Sequence, residues 1–549
     1  MEKRMLLAVL LSLIVLVGWS LLFSPQKKQK TVINKPLSEE TASEPAKGKV
    51  PVPLPMKEKM ETPSPPSEVG QEIIVESPLY RAVFSNVAAN LKSFQLKKYF
   101  QTTDKNSPRI ELVSLDEDPK PFLGFSFATE PNVQRSDQMY TVNLDRLNLS
   151  EGSGPRELNF QAINSNGLIH NLTYRFYPDR YDMDLIFRIS NPTSNPVEGR
   201  PTVTLRNLPP IKKRSYYAFV GLAVLQGDKL EKLKPKKLKE TETLSGSIRW
   251  MAYENEYFMT ALIPEGQDSQ GEFEGKDDSD ILEASFLSPK TILGPSQKIE
   301  YQYKLYMGPR DIDILKNLDN GLERAVNYGL FNIIAKPLLW LLRFFNKYLH
   351  NYGLSIILLT IIIKILFWPL THKSYKSMKE MQKIQPLMAK IRERYKDNKE
   401  QMSKEMMNLY RTYKVNPMSG CLPMLIQMPV LFAMYRLLGN SIELRHAPFI
   451  LWINDLSAPD RLFHFPFKIP FMENPAGIPV LTLLMGASML IQQKMTPTAG
   501  DPAQQKMMMF MPIIFTIMFI NFPSGLVLYW LVQNIISIGQ QYRILKKTA

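Results

Sequence analysis

The sequence predicts a polytopic α-helical membrane protein with six transmembrane helices and one large extracytoplasmic domain of antiparallel β-strands. Its 549 residues are too many for a single domain. Runs dominated by Leu, Ile, Met, Phe and Val, which are candidate membrane spans, occur at 354–370, 422–438, 478–491 and 507–541. Residues 71–310 instead contain short alternating runs separated by turn residues, a pattern that is typical of β-strands.

The net charge of +15 is explained by where the basic residues lie. Between Thr371 and Lys414 there are twelve Lys and Arg residues against five Asp and Glu residues, directly after an apolar run. The positive-inside rule assigns such a loop to the cytoplasm. Nucleic-acid binding would also explain a basic chain, but this local concentration beside a span favours a membrane protein, and we expect no DNA partner.

The N-terminus has the pattern of a membrane anchor. Residues 5–23 are apolar and follow Lys3 and Arg4, as in a signal peptide, but no A-x-A cleavage site comes after them. We therefore expect an uncleaved signal anchor whose N-terminus stays in the cytoplasm. The next stretch, 24–70, holds nine prolines among Lys, Glu, Ser and Thr, which predicts a disordered tether.

Two hairpins can be recognised in the β-strand region. The alternating run Leu172–Tyr177 is followed by a turn that begins at Pro178 and by a second alternating run, Tyr181–Ile189. The segment Asn164–Gly167 has the residues of another tight turn. Many strands of this kind without intervening helices predict an antiparallel β-sandwich.

After the sandwich the apolar period becomes helical, from Gly321 to Leu349. One stripe carries Leu330, Ile334, Leu338, Leu341 and Phe345, whereas Lys336, Arg343 and Lys347 lie away from it. An amphipathic helix of this kind suits the membrane interface, and packing on the sandwich is an equal alternative.

Residues 376–410 are charged and rich in methionine, and the pair Gln385–Pro386 suggests a helix break. They predict two helices folded as a cytoplasmic hairpin. Methionines such as Met378 and Met381 suit a surface that accepts many apolar sequences, and they suit the filling of core gaps equally well.

The last apolar run, 507–541, is too long for one span of about 20 residues, and Phe522–Gly525 interrupts it near its middle. Two helices joined by a sharp turn fit better, and six spans then return the basic C-terminus to the cytoplasm. The expected domains in chain order are a signal-anchor helix at 1–23, a Pro-rich periplasmic linker at 24–70, a periplasmic β-sandwich at 71–318, an amphipathic interfacial helix at 319–350, transmembrane helix 2 at 351–371, a cytoplasmic helical hairpin at 372–417, transmembrane helix 3 at 418–438, a periplasmic loop at 439–477, and transmembrane helices 4 to 6 at 478–544.

Signatures of soluble enzymes are missing from the sequence, which has no phosphate loop, no HExxH, no GxSxG and only one cysteine, Cys421. Of the five histidines, His170 stands alone in the sandwich region and is expected to be an ordinary residue. No pair of carboxylates is singled out by its context. We therefore expect no cofactor, no metal site and no catalytic residue.

Lys364 is the most informative single residue because it interrupts the apolar run 354–370. A cation in the middle of a span costs about 2.5–3.5 kcal/mol, so it normally faces a wet cavity or a partner. The alternative is a lysine that snorkels to the cytoplasmic face. Other polar residues of the spans could line the same groove or could bond between helices, namely Thr360, Gln427, Gln492, Asn521, Gln533 and Asn534.

The C-terminal part of the chain resembles the YidC family of bacterial membrane protein insertases, in its long Gram-negative form. The resemblance is close over roughly 337–545 and weaker over 71–310. It rests on several motifs in the family's order, which are Trp368–Thr371, Gln385–Pro386, Tyr413–Pro417, Gly420–Pro429, Asp501–Pro502 and Phe522–Tyr529, with Trp250–Tyr253, Tyr257–Phe258 and Leu305–Pro309 in the sandwich region.

The resemblance implies a periplasmic β-supersandwich and a core of five helices that forms the insertase. It also implies a hydrophilic groove, open to cytoplasm and lipid, with a basic residue at the position of Lys364. The family usually has arginine there, and lysine lacks the planar fork that grips a carboxylate at two points. A hydrophobic slide for the substrate would consist of Leu422, Pro423, Met428, Pro429, Phe519, Tyr529 and Trp530.

The implied partners are nascent membrane proteins, the Sec translocon, membrane lipids, and the ribosome through the cytoplasmic hairpin and the C-terminal tail. The implied location is the bacterial inner membrane, with both termini in the cytoplasm. Two other classes remain open from the residues alone. One is a membrane-anchored periplasmic sugar-binding or sugar-active protein, and the other is a transporter or channel, which the missing repeat of paired broken helices disfavours.

Overall fold

The computed structural model describes residues 54–55, 70–113, 121–128, 138–207, 219–234, 238, 241–266, 270–278, 281–415, 422–496 and 502–546. The predicted signal anchor and all of the predicted tether except 54–55 and 70 lie outside the described residues.

Twenty of the strands described form the region that the sequence assigns to a sandwich. They are β1 (Leu54–Pro55), β2 (Glu72–Glu76), β3 (Tyr80–Ser85), β4 (Leu91–Phe100), β5 (Arg109–Glu111), β6 (Leu123–Ala128), β7 (Thr141–Val142), β8 (Arg146–Asn148), β9 (Arg156–Ile163), β10 (Ile169–Phe176), β11 (Asp182–Ser190), β12 (Val197–Asn207), β13 (Gly221–Gln226), β14 (Lys229–Leu233), β15 (Glu242–Glu254), β16 (Phe258–Pro264), β17 (Gln270–Asp278), β18 (Ile281–Leu287), β19 (Thr291–Leu293) and β20 (Gln297–Pro309).

Two sheets pack face to face in this region. The larger has the order β19-β12-β18-β17-β15-β16-β20-β11-β10-β9-β7, with β1, β6, β13 and β14 attached at its sides, and the smaller has the order β5-β4-β3-β2-β8. Aromatic rings join them, since Phe84 of the smaller sheet lies 5.0 Å from the ring of Tyr174 and 6.0 Å from that of Phe160. Inward-facing apolar residues at every second position make this layered core.

Both predicted hairpins are confirmed. Strands β10 and β11 pair antiparallel, with Phe176 opposite Met183 next to the turn and Ile169 opposite Ser190 at the far end. Strand β9 pairs with β10 across the turn at Asn164–Gly167. The Asn164 Oδ1 accepts hydrogen bonds from the backbone N–H of Asn166 and of Leu168, each at 2.9 Å. Gly167 has φ +75°, a left-handed conformation that suits glycine and closes the turn.

His170 is buried in this sheet, and burial lowers the pKa of its imidazole from 6.5 to about 4. Its ring meets the edge of Phe187 at 5.4 Å and its Nε2 lies 3.3 Å from the side-chain nitrogen of Asn164. Between pH 6.5 and pH 4, His170 is therefore protonated in the unfolded chain but neutral in the folded sandwich. Folding stability falls as pH drops through this window, by about 3 kcal/mol at its lower end.

The pH effect of His170 is separated from that of the carboxylates by His170→Gln, which keeps a polar group facing Asn164 but cannot titrate. Thermal unfolding of the full-length protein in detergent, followed by circular dichroism at pH 7 and pH 4.5, should show a smaller loss for the variant. Equal losses in both proteins would mean that His170 carries none of the acid sensitivity.

The remaining chain is mostly helical. The helices are α1 (Ile312–Lys316), α2 (Asn332–Leu349), α3 (Tyr352–Lys383), α4 (Gln385–Arg394), α5 (Lys399–Thr412), α6 (Leu422–Asn440), α7 (Val480–Met495), α8 (Pro502–Phe519) and α9 (Ser524–Lys546), with short 3₁₀ turns at Leu322–Ala325, Gly329–Phe331 and Ile442–Leu444. A small two-stranded sheet, β21 (Leu462–Phe465) and β22 (Ala476–Ile478), lies between α6 and α7.

Within the described residues, α3 is the helix that is long and apolar enough to cross a membrane by length and composition, and Met509–Phe519 is a shorter apolar helix. The number of six spans stays a prediction. Helix α3 has 32 residues and so is about 48 Å long, against about 30 Å for a bilayer core. It runs on to Lys383, beyond the predicted boundary at 371, so that the first part of the predicted hairpin is a continuation of α3.

Helix α2 packs on the other helices with one face and leaves the other bare. Its buried residues are Ala335, Leu338, Leu339 and Leu342, and the contacts are to α3 and α6. The opposite face exposes Ile333, Trp340, Phe344 and Tyr348. Leu330, which the sequence puts on the apolar stripe, precedes the helix and is exposed.

Arg343 links α2 to both neighbouring parts of the chain. Its guanidinium donates to Asp313 at 2.8 Å and to Asp311 at 3.2 Å, just after the last sandwich strand, and also to Glu443 after α6. These carboxylates range from exposed to nearly buried. The contribution of the cluster to stability is therefore expected to lie between that of a surface ion pair and that of a buried one. This ion cluster therefore ties the sandwich to the helices.

Replacing Arg343 by alanine should destabilise the protein by about 2 kcal/mol, because Glu443 would stay nearly buried without its cation. Thermal unfolding in detergent measures the effect. Lys347→Ala serves as the control, since Lys347 lies exposed one turn further along α2. A similar melting temperature for both variants would show that the cluster adds nothing to stability.

Candidate functional site

Helix α9 carries a buried polar stripe through the centre of the helical part. The stripe consists of Gln533, Asn534, Ser537, Gln540 and Gln541, all of which are at most 7% exposed. Their spacing of one, three, three and one residues puts them on one face of a helix. Helix α9 packs along α3 and α7, so this face supplies hydrogen bonds to both neighbours.

Lys364 points into this stripe from α3. Its Nζ donates a 2.7 Å hydrogen bond to Ser537 Oγ, which in turn donates to the backbone oxygen of Gln533 at 2.8 Å. The side chain is only 3% exposed, so it does not snorkel to a flank. Among the described residues no charged neighbour acts on the ammonium, which leaves its charge uncompensated.

A small groove lies beside Lys364, between α3, α6 and α9. Its walls mix apolar and polar groups, namely Ile363, Lys364, Phe367, Leu370, Thr371, Pro423, Ile426, Gln427 and Gln533. The groove therefore brings a buried cation and two amides next to apolar side chains.

Two glutamines form the polar wall of the groove. Gln533 Nε2 donates to Gln427 Oε1 at 2.7 Å, and Gln427 Nε2 donates to the Tyr529 hydroxyl at 3.1 Å. The Gln533 Oε1 is buried and finds no partner among the described residues. A buried acceptor without a partner is costly, so this oxygen is available to a donor on a bound segment or to water.

The structure brings together only some of the polar residues that the sequence assigns to the groove. Lys364 and Gln427 both line it. Thr360 instead donates to the Ile356 carbonyl of its own helix, and Asn534 donates to Ser488 Oγ between α9 and α7, at 2.9 Å. Gln492 lies on α7 within hydrogen-bonding reach of the Tyr375 hydroxyl.

Three further residues belong to this region and were not singled out by sequence as groove residues. Thr371 lines the groove and exchanges hydrogen bonds with Gln540, whose Nε2 donates to Thr371 Oγ1 at 3.0 Å. Ser537 holds Lys364. The helical spacing of the α9 stripe is a signal that could have found Ser537 and Gln540, because isolated polar residues in a span show no such spacing.

The predicted slide residues are distributed over different environments. Pro423 lines the groove, Met428 is half-buried and Pro429 is exposed, while the side chain of Leu422 lies outside the described part of the chain. Phe519 is buried, with its ring 5.0 Å from that of the half-buried Trp530. Tyr529 is fully buried. The slide function of these residues stays a prediction.

A loop closes the helical part at the end that adjoins the sandwich. We call residues 449–461 the cap loop. Its carbonyls at Leu456 and Ala458 accept hydrogen bonds from the first N–H groups of α9, at Gly525 and Ser524, and its buried Asp460 accepts from the Leu481 N–H in the first turn of α7. These bonds satisfy donors that a helix N-terminus leaves free.

The distance along α3 puts the groove well below this closed end. Gly353 packs against the cap loop, and Lys364 lies eleven residues further on, or about 17 Å at 1.5 Å per residue. That is about half the thickness of a 30 Å hydrocarbon core. Lys364 thus lies about 17 Å along α3 from the end that the cap loop closes.

The comparison with known proteins agrees with this architecture. Residues 344–549 match the family model described as 60Kd inner membrane protein, and residues 72–341 match that of the YidC periplasmic domain. A membrane protein insertase YidC of Pelobacter propionicus is 42% identical over 550 residues, covering 100% of this chain and 99% of the relative. The chain belongs to the YidC family. A second YidC relative, of Syntrophus aciditrophicus, is 41% identical and covered in full on both sides.

Solved structures add no argument to the family assignment. A crystal structure titled as an active YidC insertase with its first transmembrane domain resolved has 18% identity and a TM-score of 0.38, covering 87% of this chain and 93% of that one. A galactose mutarotase related enzyme from Lactobacillus acidophilus has 10% identity and a TM-score of 0.31, covering 43% of this chain and 97% of the enzyme. Both scores are too low to carry a functional argument, and the sugar-active alternative gains no support.

Proposed function

We propose that this YidC family protein is a membrane protein insertase of the bacterial inner membrane, which transfers apolar segments of other proteins from the cytoplasm into the bilayer. The observation that carries the proposal is the groove between α3, α6 and α9, which is lined by the buried Lys364. A short polar segment enters it from the cytoplasm, and the apolar segment that follows moves into lipid.

The charge of Lys364 is the feature that a purely structural groove would not need. Burying a cation at this depth costs about 2.5–3.5 kcal/mol, and the described residues offer no carboxylate to offset it. The acceptor in its bond to Ser537 is neutral, so an acidic group of a substrate is a stronger partner, because donor and acceptor are then both ionised. Lys364 therefore attracts polar or acidic segments transiently.

The driving force comes from the substrate itself. Each Leu, Ile, Phe or Val residue at the centre of a span favours the bilayer by about 0.3–0.6 kcal/mol, so a typical span gains several kcal/mol on leaving the groove. No fuel site is required by this mechanism. Exposed apolar side chains beside the groove, including Ile365 and Leu366 on α3, provide a path to lipid.

The proposed topology has six spans, in which the signal anchor joins the long helices α3, α6, α7, α8 and α9, and both termini lie in the cytoplasm. The sandwich is then periplasmic. The slide residues Leu422, Pro423, Met428, Pro429, Phe519, Tyr529 and Trp530 guide the apolar segment in this arrangement.

The cytoplasmic hairpin is proposed to receive substrates and to bind the ribosome together with the C-terminal tail. A small core supports it, in which Met381, Ile384, Met388 and Val415 are buried. These methionines fill a core rather than form an open surface. Lys379 Nζ donates to the Ile544 carbonyl at 3.2 Å, which joins the start of the hairpin to the end of α9. The Sec translocon and membrane lipids complete the proposed partners.

The test is insertion of a short single-span substrate into liposomes that hold the purified protein, with a photo-crosslinking residue at Leu370 or Ile426 in the groove. Crosslinks to the arriving substrate are expected at both positions and far fewer at Leu354, which is exposed near the other end of α3. Insertion no faster than in protein-free liposomes, or equal crosslinking at all three positions, would contradict the proposal.

A further inference from the structure

The segment between the cap loop and α7 exposes three phenylalanine rings to the surroundings. We call residues 462–478 the aromatic hairpin, since they contain β21 and β22. Phe463 is 70% exposed, Phe467 60% and Phe471 82%. Each such ring forgoes about 1.5–3 kcal/mol relative to full burial, and three exposed rings in one short segment mark an interaction surface.

Two of these rings are held in an unfavourable backbone conformation. Phe463 has φ +54° and Phe471 has φ +64°, in the left-handed region that bulky residues rarely adopt. Strain of this kind costs about 1–3 kcal/mol per residue and persists when neighbouring contacts enforce it. The phenylalanines are thus presented outwards by a strained backbone instead of folding back onto the protein.

Asn521 fixes the aromatic hairpin to the turn between α8 and α9. Its Nδ2 donates to the Phe471 carbonyl at 2.9 Å, and its Oδ1 accepts from the Glu473 N–H and from Arg461 Nη2, each at 3.0 Å. A second Arg461 nitrogen donates to the Ile520 carbonyl at 2.8 Å. The aromatic hairpin is therefore level with the sandwich-side ends of α8 and α9.

The outer surface of α8 leads directly to this point. Ile513, Ile514, Ile517 and Met518 are 48–58% exposed, which makes this face of α8 lipid-facing in the proposed membrane orientation. The aromatic hairpin continues the apolar surface just past the helix end, at the depth where aromatic residues anchor membrane proteins. It also carries the exposed Lys468, whose cation suits lipid phosphates.

We infer that the aromatic hairpin docks into the headgroup region of the bilayer leaflet on the sandwich side, with lipid as the occupant of the patch formed by Phe463, Phe467 and Phe471. Because Asn521 joins this hairpin to α8 and α9, the anchor sets the height of these helices in the bilayer, and with it the depth of the groove. The inference rests on the proposed membrane orientation of α8.

The experiment measures depth in lipid nanodiscs with the full-length protein carrying Cys421→Ser and one nitroxide label. Labels are attached through Phe471→Cys in the aromatic hairpin, Ile514→Cys on α8 and Glu151→Cys on the sandwich. Accessibility to oxygen and to a water-soluble nickel chelate gives the depth of each label. We expect Ile514 in the hydrocarbon, Glu151 in water and Phe471 between them, near the phosphates.

Two results at Phe471 would overturn the inference while leaving the membrane orientation intact. Accessibility equal to that at Glu151 would mean that the patch stands in water, and protection from both reagents would mean that a protein surface or a second copy covers it. If the Ile514 label itself lay in water, the proposed orientation of α8 would fail as well.

The height-setting effect has its own readout. Replacing Phe463, Phe467 and Phe471 together by serine should shift the depth of the Ile514 label, whereas replacing the same three by tryptophan should leave it unchanged, since tryptophan also anchors at the interface. An unchanged depth in the serine variant would show that the aromatic hairpin does not position α8.

Discussion

Replacing Lys364 by alanine should lower the rate of single-span insertion about tenfold, and replacing it by glutamate should lower it further. A charge-assisted hydrogen bond contributes about 1.5–3 kcal/mol, and 1.4 kcal/mol corresponds to a factor of ten. Glutamate also repels acidic segments. The measurement is insertion of a substrate with an acidic tail into liposomes that hold each purified variant.

Two further variants separate charge from shape and folding. Lys364→Arg keeps the cation and should retain most of the activity. Lys364→Met keeps the length of the side chain without the charge, so it should insert slowly, and it should melt no lower than the parent because an uncompensated buried charge has been removed. Lys494→Ala, at an exposed lysine near the end of α7, controls for a general loss of positive charge.

Equal insertion rates for the parent protein and for the Ala, Met and Glu variants at Lys364 would exclude a role for the cation. The apolar surfaces alone would then have to account for activity. A substrate with a neutral tail gives a second test. Its insertion rate should fall less on loss of the Lys364 charge than the rate of the substrate with an acidic tail.

Local patterns were sufficient to predict the parts of the sandwich that neighbouring residues determine. The alternation in Leu172–Tyr177 and the turn at Asn164–Gly167 each describe a hairpin, and both hairpins are confirmed. The order of the strands in the sheets could not be predicted in this way. Strand β12 pairs with β6, β18 and β19, which are far from it in the chain, and no short pattern encodes such partners.

The groove was predictable in part for a similar reason. Lys364 could be recognised because a cation in an apolar run is costly, and Gln427 shares the groove with it. The amides of the spans were also expected to bond between helices as an alternative, and Asn534 does so. Which polar residue faces which neighbour depends on the rotation of each helix about its axis, and hydropathy does not report that rotation.

The second large effect is expected at the closed end, where Gly353→Ala should destabilise the protein. An alanine Cβ would lie 2.0 Å from Cδ2 of Phe449 in the cap loop and 2.4 Å from its Cγ. The backbone of Phe449 is held in place, because its carbonyl accepts from Asn351 Nδ2 at 3.0 Å and its N–H donates to the Ile453 carbonyl at 2.8 Å. The ring can therefore yield only by leaving its rotamer. Overpacking of this kind costs about 1–3 kcal/mol.

Gly539→Ala is the matched control, because it also lies in a long helix but has no atom within 4 Å of the added Cβ. Alanine favours a helix over glycine by up to about 1 kcal/mol, so this variant should melt at the same temperature or higher. Gly353→Ala should therefore lower the melting temperature, whereas Gly539→Ala should not. If Gly353→Ala destabilises through Phe449, adding Phe449→Ala should restore part of the loss, whereas fully additive losses in the double variant would place the cause elsewhere.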